Sequence, residues 1–67
     1  MNNRSLELCI SNKINTIDEF SKIVGIPVDE AAALINKDDT VKVSEESISK
    51  CLKFFNCNYD YFFCLVE

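Results

Sequence analysis

The sequence predicts an all-α fold, a single domain of five short helices. Apolar side chains recur at the three- and four-residue spacing of amphipathic helices. Residues typical of helix starts and helix stops bound these segments. The 67 residues include one glycine and one proline, which leaves little room for the turns of a β-sheet protein. We therefore expect residues 1–67 to form one domain in which short polar links join the helices.

The first predicted helix covers residues 3–13. Leu6, Cys9, Ile10 and then Ile14 recur at helical spacing, and we expect this stripe to face the core. Leu8 lies outside the stripe. The segment is therefore predicted to be amphipathic, with its apolar side turned towards the rest of the domain.

A turn at residues 25–27 is predicted to separate the second and third helices. Thr16 and Glu19 have the spacing of a capping box, in which both side chains satisfy N–H groups at a helix start. Gly25 stands where a left-handed residue ends a helix, a conformation that costs glycine no steric strain. Pro27 suits the start of the third helix, residues 27–36, because its missing N–H needs no partner there. The predicted core residues of the two helices are Ile17, Phe20, Ile23, Val24, Ala31, Leu34 and Ile35.

Two further helices are predicted after a polar loop at residues 36–40. Ser44 begins the fourth helix, and the two glutamates that follow it favour a helix N-terminus. Asn56 takes the helix-stop position, and Asn58 caps a last short helix over residues 59–65. The predicted buried face of the fourth helix consists of Ile48, Cys51, Leu52 and Phe55.

Composition argues against several classes of function. Eleven acidic and seven basic residues give a net charge of −4, which repels nucleic acid unless a local basic patch exists. The chain has no histidine and no Cys-x-x-Cys, so we expect no metal site, no cofactor and no enzyme activity. The start of the chain does not look like a signal peptide, and no apolar run is long enough to span a membrane. We expect a cytoplasmic protein with four reduced cysteines, Cys9, Cys51, Cys57 and Cys64.

Two segments carry a resemblance to a known family. Residues 16–26 read Thr-Ile-Asp-Glu-Phe-Ser-Lys-Ile-Val-Gly-Ile and resemble the second helix and turn of Cro-repressor-like (XRE) helix-turn-helix domains. Residues 43–63 are similar to the fourth and fifth helices of that family, with Asn-Cys-Asn at the family's Gly-Val-Ser. The resemblance implies a five-helix lambda-repressor/Cro-like domain whose third helix enters the DNA major groove, usually in a dimer. Small phage or bacterial repressors and modulators of repression look similar.

The sequence departs from the family pattern at the positions that would touch DNA. Ile17 replaces a polar residue that contacts a phosphate in the family, and the start of the recognition helix offers Val28, Asp29 and Glu30 to base edges. Base readout requires donors and acceptors such as Arg, Asn or Gln. Residues 29–39 contain four acids and the single base Lys37. The negatively charged DNA backbone would therefore face an acidic third helix.

Three interpretations of the third helix follow from this pattern. Its outer side is either a solvated face, a shallow apolar patch with an acidic rim that docks another protein, or a true DNA-reading surface. The protein-binding interpretation is favoured, and the DNA-binding interpretation is weakened by the acidic charge. The predicted partner-binding or DNA-facing residues are Ile17, Val28, Asp29, Ala32, Ala33, Asn36 and Lys37.

Aromatic residues are concentrated near the C-terminus. Every phenylalanine and tyrosine except Phe20 lies within residues 54–63, more than a small domain can bury. We expect Phe55, Phe62 and one tyrosine to close the core. The others predict a homodimer interface, as aromatic side chains are enriched at such surfaces and the family often dimerises through this region. The candidate interface residues are Phe54, Tyr61, Phe63, Leu65 and Val66.

Two functions are carried forward from the sequence. The first is a small regulator that keeps the helix-turn-helix scaffold but binds another protein, such as a repressor, an RNA polymerase subunit or a host factor. The second is a conventional DNA-binding transcriptional regulator acting as a dimer. It would gather Lys13, Lys22, Lys37 and Lys42 beside the operator and show a steep salt dependence.

Overall fold

The computed structural model describes residues 2–65, and within that range it contains five helices and no strand. The helices are α1 (Ser5–Ser11), α2 (Ile17–Val24), α3 (Val28–Asn36), α4 (Glu45–Phe55) and α5 (Tyr59–Phe62). The predicted all-α class is confirmed for this part of the chain. The Cro-like arrangement of the helices stays a prediction.

Side-chain caps begin three of the helices, as predicted. The side-chain oxygens of Thr16, Ser44 and Asn58 each accept a backbone N–H from the first turn of α2, α4 and α5, respectively. The capping box of α2 differs from the expected form in one bond. The Glu19 carboxylate accepts the N–H of Asn15 at 3.0 Å, one residue before the cap. These bonds satisfy N–H groups that a helix start leaves without an intrahelical partner.

Left-handed residues end α2, α3 and α4. Gly25 has φ 84 and Asn56 has φ 54, so both predicted helix stops are confirmed. Lys37 ends α3 with φ 55, although no sequence signal favoured a stop at a lysine. There the Asp38 N–H donates to the Ala33 carbonyl at 2.9 Å, so a backbone bond across the turn holds the lysine in this conformation.

The core lies around α3, which packs against both α1 and α2. Phe20, Leu34 and Phe62 are its largest apolar side chains and are fully buried. Because α3 is central, it buries a wide arc of its circumference rather than a narrow stripe. The buried apolar residues are Cys9, Ile14, Phe20, Ile26, Ala31, Ala33, Leu34, Val43, Cys51 and Phe62.

The predicted buried stripe of α1 is wrong for two of its four residues. Leu6 is 44% exposed and Ile10 is 66% exposed, although both were expected in the core. Cys9 and Ile14 are buried, as predicted. Ser5 is buried as well, and Leu8, which the stripe left out, packs against the core. The helix is therefore rotated about its axis relative to the predicted orientation, and its most apolar side faces outwards.

Polar contacts of the N-terminal segment explain this rotation. Asn3 is 1% exposed, and its side-chain amide donates to the Leu34 carbonyl at 3.0 Å. Its Oδ1 accepts the Ser5 N–H at 2.9 Å, while the Arg4 N–H donates to the Phe62 carbonyl at 2.8 Å. These bonds fix the first turn of α1 against α3 and α5. The orientation of the helix follows from them rather than from its apolar pattern.

The predicted burial of one residue of α2 is also wrong. Ile23 is 51% exposed, whereas Phe20 on the same helix is fully buried. Ile26, which the helical pattern left in the turn, is buried instead at 4% exposure. The Ser21 hydroxyl donates to the Ile26 carbonyl at 2.6 Å and so links α2 to the turn that follows it.

Candidate functional site

The turn between α2 and α3 positions the candidate face. The Gly25 N–H donates to the Ser21 carbonyl at 2.9 Å, which closes the last turn of α2. From α4, the Lys50 ammonium donates to the Gly25 carbonyl at 3.0 Å and lies 3.4 Å from the Glu46 carboxylate. The start of α3 is therefore held by bonds from both α2 and α4.

Most of the predicted face lies on the outer side of α3. Val28 is 51% exposed, Asp29, Asn36 and Lys37 are exposed, and Ala32 is half-buried between them. These five residues, Val28, Asp29, Ala32, Asn36 and Lys37, are called the α3 face below. The α3 face is apolar and acidic at its N-terminal end, and its amide and ammonium groups lie at its C-terminal end.

Two residues predicted for this face do not lie on it. Ala33 is 3% exposed and belongs to the core, so it is not available to a partner. It belongs to the same buried cluster as Ala31 and Leu34, so α3 turns this side inwards. Ile17 is half-buried and packs against the core, where it lines a groove between α1 and α2. The predicted face is therefore smaller than the sequence pattern indicated.

The acidic charge near the α3 face is partly engaged within the fold. Glu30 points to the start of α4, where its carboxylate accepts the Ser44 N–H at 2.7 Å. This bond lowers the pKa of the Glu30 carboxyl below its usual value. Asp38 accepts bonds from the Thr40 hydroxyl at 2.6 Å and from the Thr40 N–H at 2.9 Å, and both lower its pKa. Both carboxylates are thus ionised at neutral pH. Glu30 is bonded to the residue before α4, and Asp38 is bonded within the loop that follows α3.

Two of the seven basic residues are engaged in contacts within the fold. Arg4 is held against α5, where its Nε donates to the Tyr61 carbonyl at 2.9 Å. Its guanidinium lies 4.6 Å from the centre of the Tyr61 ring and 3.7 Å from the Glu7 carboxylate. Arg4 and Lys50 thus have structural partners. The other exposed lysines are Lys13, Lys22, Lys37, Lys42 and Lys53.

All four cysteines are free thiols, and three of them have raised pKa values. Burial raises the pKa of the Cys9 thiol to about 11 and that of Cys51 to about 12, and it also raises the pKa of Cys57. A thiol with a raised pKa stays protonated at neutral pH and is a poor nucleophile and metal ligand. Between residues 2 and 65, no group of three or more Cys, Asp or Glu side chains is arranged to hold a metal ion.

The predicted C-terminal interface is divided by the structure. Phe54 is 41% exposed, Tyr61 42% and Leu65 63%, so these three side chains reach the surface. Phe63 reaches the surface only in part, because it is half-buried against the core with its ring 5.0 Å from the ring of Phe62. Val66 lies outside the described residues. Neither tyrosine closes the core, which corrects a second expectation for this segment.

A scan against protein-family models finds no match to the sequence, and searches of curated proteins and of solved structures find none either. The likeness to Cro-repressor-like domains is therefore carried by the sequence pattern alone. Within the described part of the chain, no helix has the length and apolar character needed to cross a membrane.

One apolar surface was not found by sequence reasoning. Leu6 and Ile10 of α1 are both exposed and lie four residues apart on the same side of the helix, and Leu6 also lines the groove that Ile17 lines. Their helical spacing was visible in the sequence, but it was interpreted as a core stripe. No local signal distinguishes the two cases, because both produce the same periodicity.

Proposed function

We propose that the protein is a small, non-enzymatic regulator of transcription or of a phage, built on an XRE-type helix-turn-helix scaffold. It acts in the cytoplasm as a homodimer and binds another protein through the α3 face. The observation that carries the proposal is the N-terminal half of α3, where Val28 is 51% exposed beside Asp29. A DNA-reading helix presents donors and acceptors at this position.

The chemistry of the α3 face indicates the kind of partner. Val28 and Ala32 lie one turn apart on the helix and offer a shallow apolar strip, which Asp29 borders on one side. Such a strip suits an apolar helix face or groove of another protein, with a basic group placed to meet Asp29. A related repressor, an RNA polymerase subunit or a host factor could supply that surface.

The proposal is non-enzymatic because of the available side chains. The sequence has no histidine, and the thiols of Cys9 and Cys51 are buried with raised pKa values. General acid–base or nucleophilic catalysis needs a group that changes charge near neutral pH or a nucleophile beside a base. The proposed activity requires no cofactor.

A DNA-binding regulator is the second candidate, and one observation favours it. Lys13, Lys22, Lys37 and Lys42 are all exposed, and a dimer could bring two sets of them to one duplex. Each phosphate contact adds to the salt dependence of binding, so this function predicts an affinity that falls steeply with salt.

A capture experiment separates the two functions. The tagged protein is used as bait in native cytoplasm at about 0.15 M salt, near the physiological value. Val28→Arg and Ala32→Glu variants are run in parallel, and each eluate is divided between mass spectrometry and nucleic-acid sequencing. Lys53→Ala, an exposed change on α4 that is not part of the α3 face, is the matched control.

We expect one stoichiometric protein that the wild type and the Lys53→Ala variant both retain and that both α3-face variants lose. Circular dichroism of each variant shows whether the helices are intact, so that a loss of binding is not a loss of folding. Recovery of a discrete DNA site without a protein partner would overturn the protein-binding proposal and support the second candidate.

A further inference from the structure

A second groove, separate from the one that Ile17 lines, runs along α4 beside the start of α5. Its lining combines two aliphatic side chains with a tyrosine, a serine and a glutamate. It has an empty volume of about 580 Å³, part of which is open to solvent. The lining residues, called the α4 groove below, are Glu45, Ile48, Ser49, Leu52 and Tyr59. None of them belongs to the α3 face.

The floor of the α4 groove is aliphatic. Ile48 and Leu52 are four residues apart, so they project from the same side of α4. Both are half-buried and pack against the core, and both line the groove. Each side chain therefore turns one side inwards and offers the other to the groove. Glu45 precedes Leu52 by seven residues, which places it about 10 Å away along the helix axis.

Tyr59 supplies the aromatic part of the lining. Its ring centre lies 4.7 Å from that of Phe63, which holds the ring on one side. The residue is nevertheless 51% exposed. A tyrosine that is held in this way offers a large contact area to a partner at a low cost in conformational entropy.

A carboxylate without a partner stands at one end of the groove. Among the described residues, none forms a hydrogen bond or an ion pair with Glu45, whereas its neighbour Glu46 lies 3.4 Å from the Lys50 ammonium. The remaining base of α4 is Lys53, eight residues after Glu45 and about 12 Å away along the axis. That separation exceeds the screening length of about 8 Å at physiological salt. The charge of Glu45 is therefore not compensated within α4.

We propose that the α4 groove binds a basic amphipathic segment of another protein. Two aliphatic side chains of the segment, one helical turn apart, lie over Ile48 and Leu52. A lysine or arginine one turn further along the segment meets Glu45. An amphipathic helix that lays its apolar side into a groove is a common mode of recognition, and its anchors repeat at spacings of three, four and seven residues.

Charge favours such a segment over a second copy of this chain. Each copy has a net charge of −4, so a second copy brings further negative charge to Glu45. A basic segment is attracted both by the net charge of the chain and by Glu45 itself. The proposal goes beyond the proposed function and depends neither on the partner of the α3 face nor on the homodimer.

Fluorescence anisotropy of a labelled synthetic peptide tests the proposal with the full chain. The probe is an alanine-rich peptide of about three helical turns. It carries two leucines four residues apart and a lysine three residues after the second leucine. Glu45→Lys is compared with Asp18→Lys, which makes the same change of charge at another exposed acid in the first turn of a helix.

We expect Glu45→Lys to weaken peptide binding about threefold to tenfold at low salt, because an attractive charge pair becomes a repulsive one. Asp18→Lys should have a much smaller effect. Equal weakening by the two variants would show that the peptide responds only to the net charge of the chain, and it would overturn the proposal.

Tyr59→Ala and Phe54→Ala form a second matched pair. Both side chains are exposed aromatic residues with a neighbouring ring, and of the two only Tyr59 lines the groove. We expect Tyr59→Ala to weaken binding about tenfold, as loss of an aromatic anchor does at protein contacts, and Phe54→Ala to leave it unchanged. Circular dichroism of each variant shows whether the helices are intact.

A peptide with glutamate in place of the lysine gives a readout that a folding defect cannot imitate. It should bind the Glu45→Lys variant more tightly than the wild type, because the exchanged charges attract. The opposite preference would overturn the position given to Glu45.

The α3-face variant Val28→Arg separates this proposal from the proposed function, and it should leave peptide binding unchanged. Loss of binding in Val28→Arg but not in Tyr59→Ala would place the peptide on the α3 face and overturn the α4 groove. No binding of the lysine peptide to the wild type would also overturn the α4 groove, while the capture experiment on the α3 face would keep its own outcome.

Discussion

Helices α1 and α2 have nearly equal lengths, seven and eight residues, but are fixed in different ways. The ends of α2 are set by neighbours in the chain, with Thr16 capping its start and Gly25 ending it. α1 has no side-chain cap at Arg4 and is held by bonds to residues at least 31 positions away. Local signals therefore locate a helix, whereas distant contacts decide which side of it is buried.

The largest test of this comparison replaces the main apolar side chain of each helix. Phe20 of α2 is fully buried, and Ile10 of α1 is 66% exposed. We expect Phe20→Ala to lower the free energy of unfolding by about 3–5 kcal/mol, because it removes a large buried side chain and leaves a cavity. Ile10→Ala should change the free energy of unfolding of the monomer by no more than about 0.5 kcal/mol.

Urea denaturation at low protein concentration measures both values without a contribution from association. A cost for Ile10→Ala comparable to that for Phe20→Ala would show that α1 buries its apolar side after all. Ile10 would then belong to the core, as its helical spacing predicted.

Asn3→Ala tests the distant contacts of α1 directly. The change removes the bond to the Leu34 carbonyl and the bond from the Ser5 N–H, and it leaves both buried groups without that partner. We expect a loss of about 2–3 kcal/mol in the free energy of unfolding. Asn12→Ala is the control, because Asn12 bonds the Leu8 carbonyl at an exposed position and should cost far less. Equal costs for the two variants would contradict the role given to Asn3.

Gly25→Ala tests the local device that ends α2. Gly25 has φ 84, and a Cβ at this position would meet nothing within 4 Å, so backbone strain is the whole effect. We expect a loss of about 1–2 kcal/mol, measured by urea denaturation. Gly25→Asn should cost less, because asparagine tolerates the left-handed conformation better than alanine. The reverse order for the two variants would indicate that the strain is not the cause.

The same division explains how much of the fold could be predicted. The all-α class, the caps at Thr16, Ser44 and Asn58 and the stop at Gly25 follow from signals a few residues long. The outward side of α1 could not be predicted, because Leu6 and Ile10 have the periodicity of a core stripe. Asn3, one of the three buried polar residues in the described structure, sets that orientation through a bond 31 residues away.

Like the fold, the candidate site was predicted only in part. Helical spacing correctly brings Val28 and Ala32 to one side of α3, and both reach the surface at least in part. Ala33 is 3% exposed, because α3 packs against both α1 and α2 and buries more than one side. Glu30 looked like part of an acidic rim, but a bond to Ser44 turns it towards α4.

Ser5→Ala is expected to have the smallest effect of the four changes, and it is the one expected to stabilise the protein. Ser5 is fully buried at the start of α1, and its hydroxyl has no hydrogen-bond partner in the described structure. A buried hydroxyl without a partner is unfavourable, and alanine has the higher helix propensity. We expect the free energy of unfolding to rise by up to about 1 kcal/mol. Ser11→Ala, an exposed change at the other end of the same helix, is the control, and a loss of stability in Ser5→Ala alone would show that the Ser5 hydroxyl is hydrogen-bonded in the folded protein.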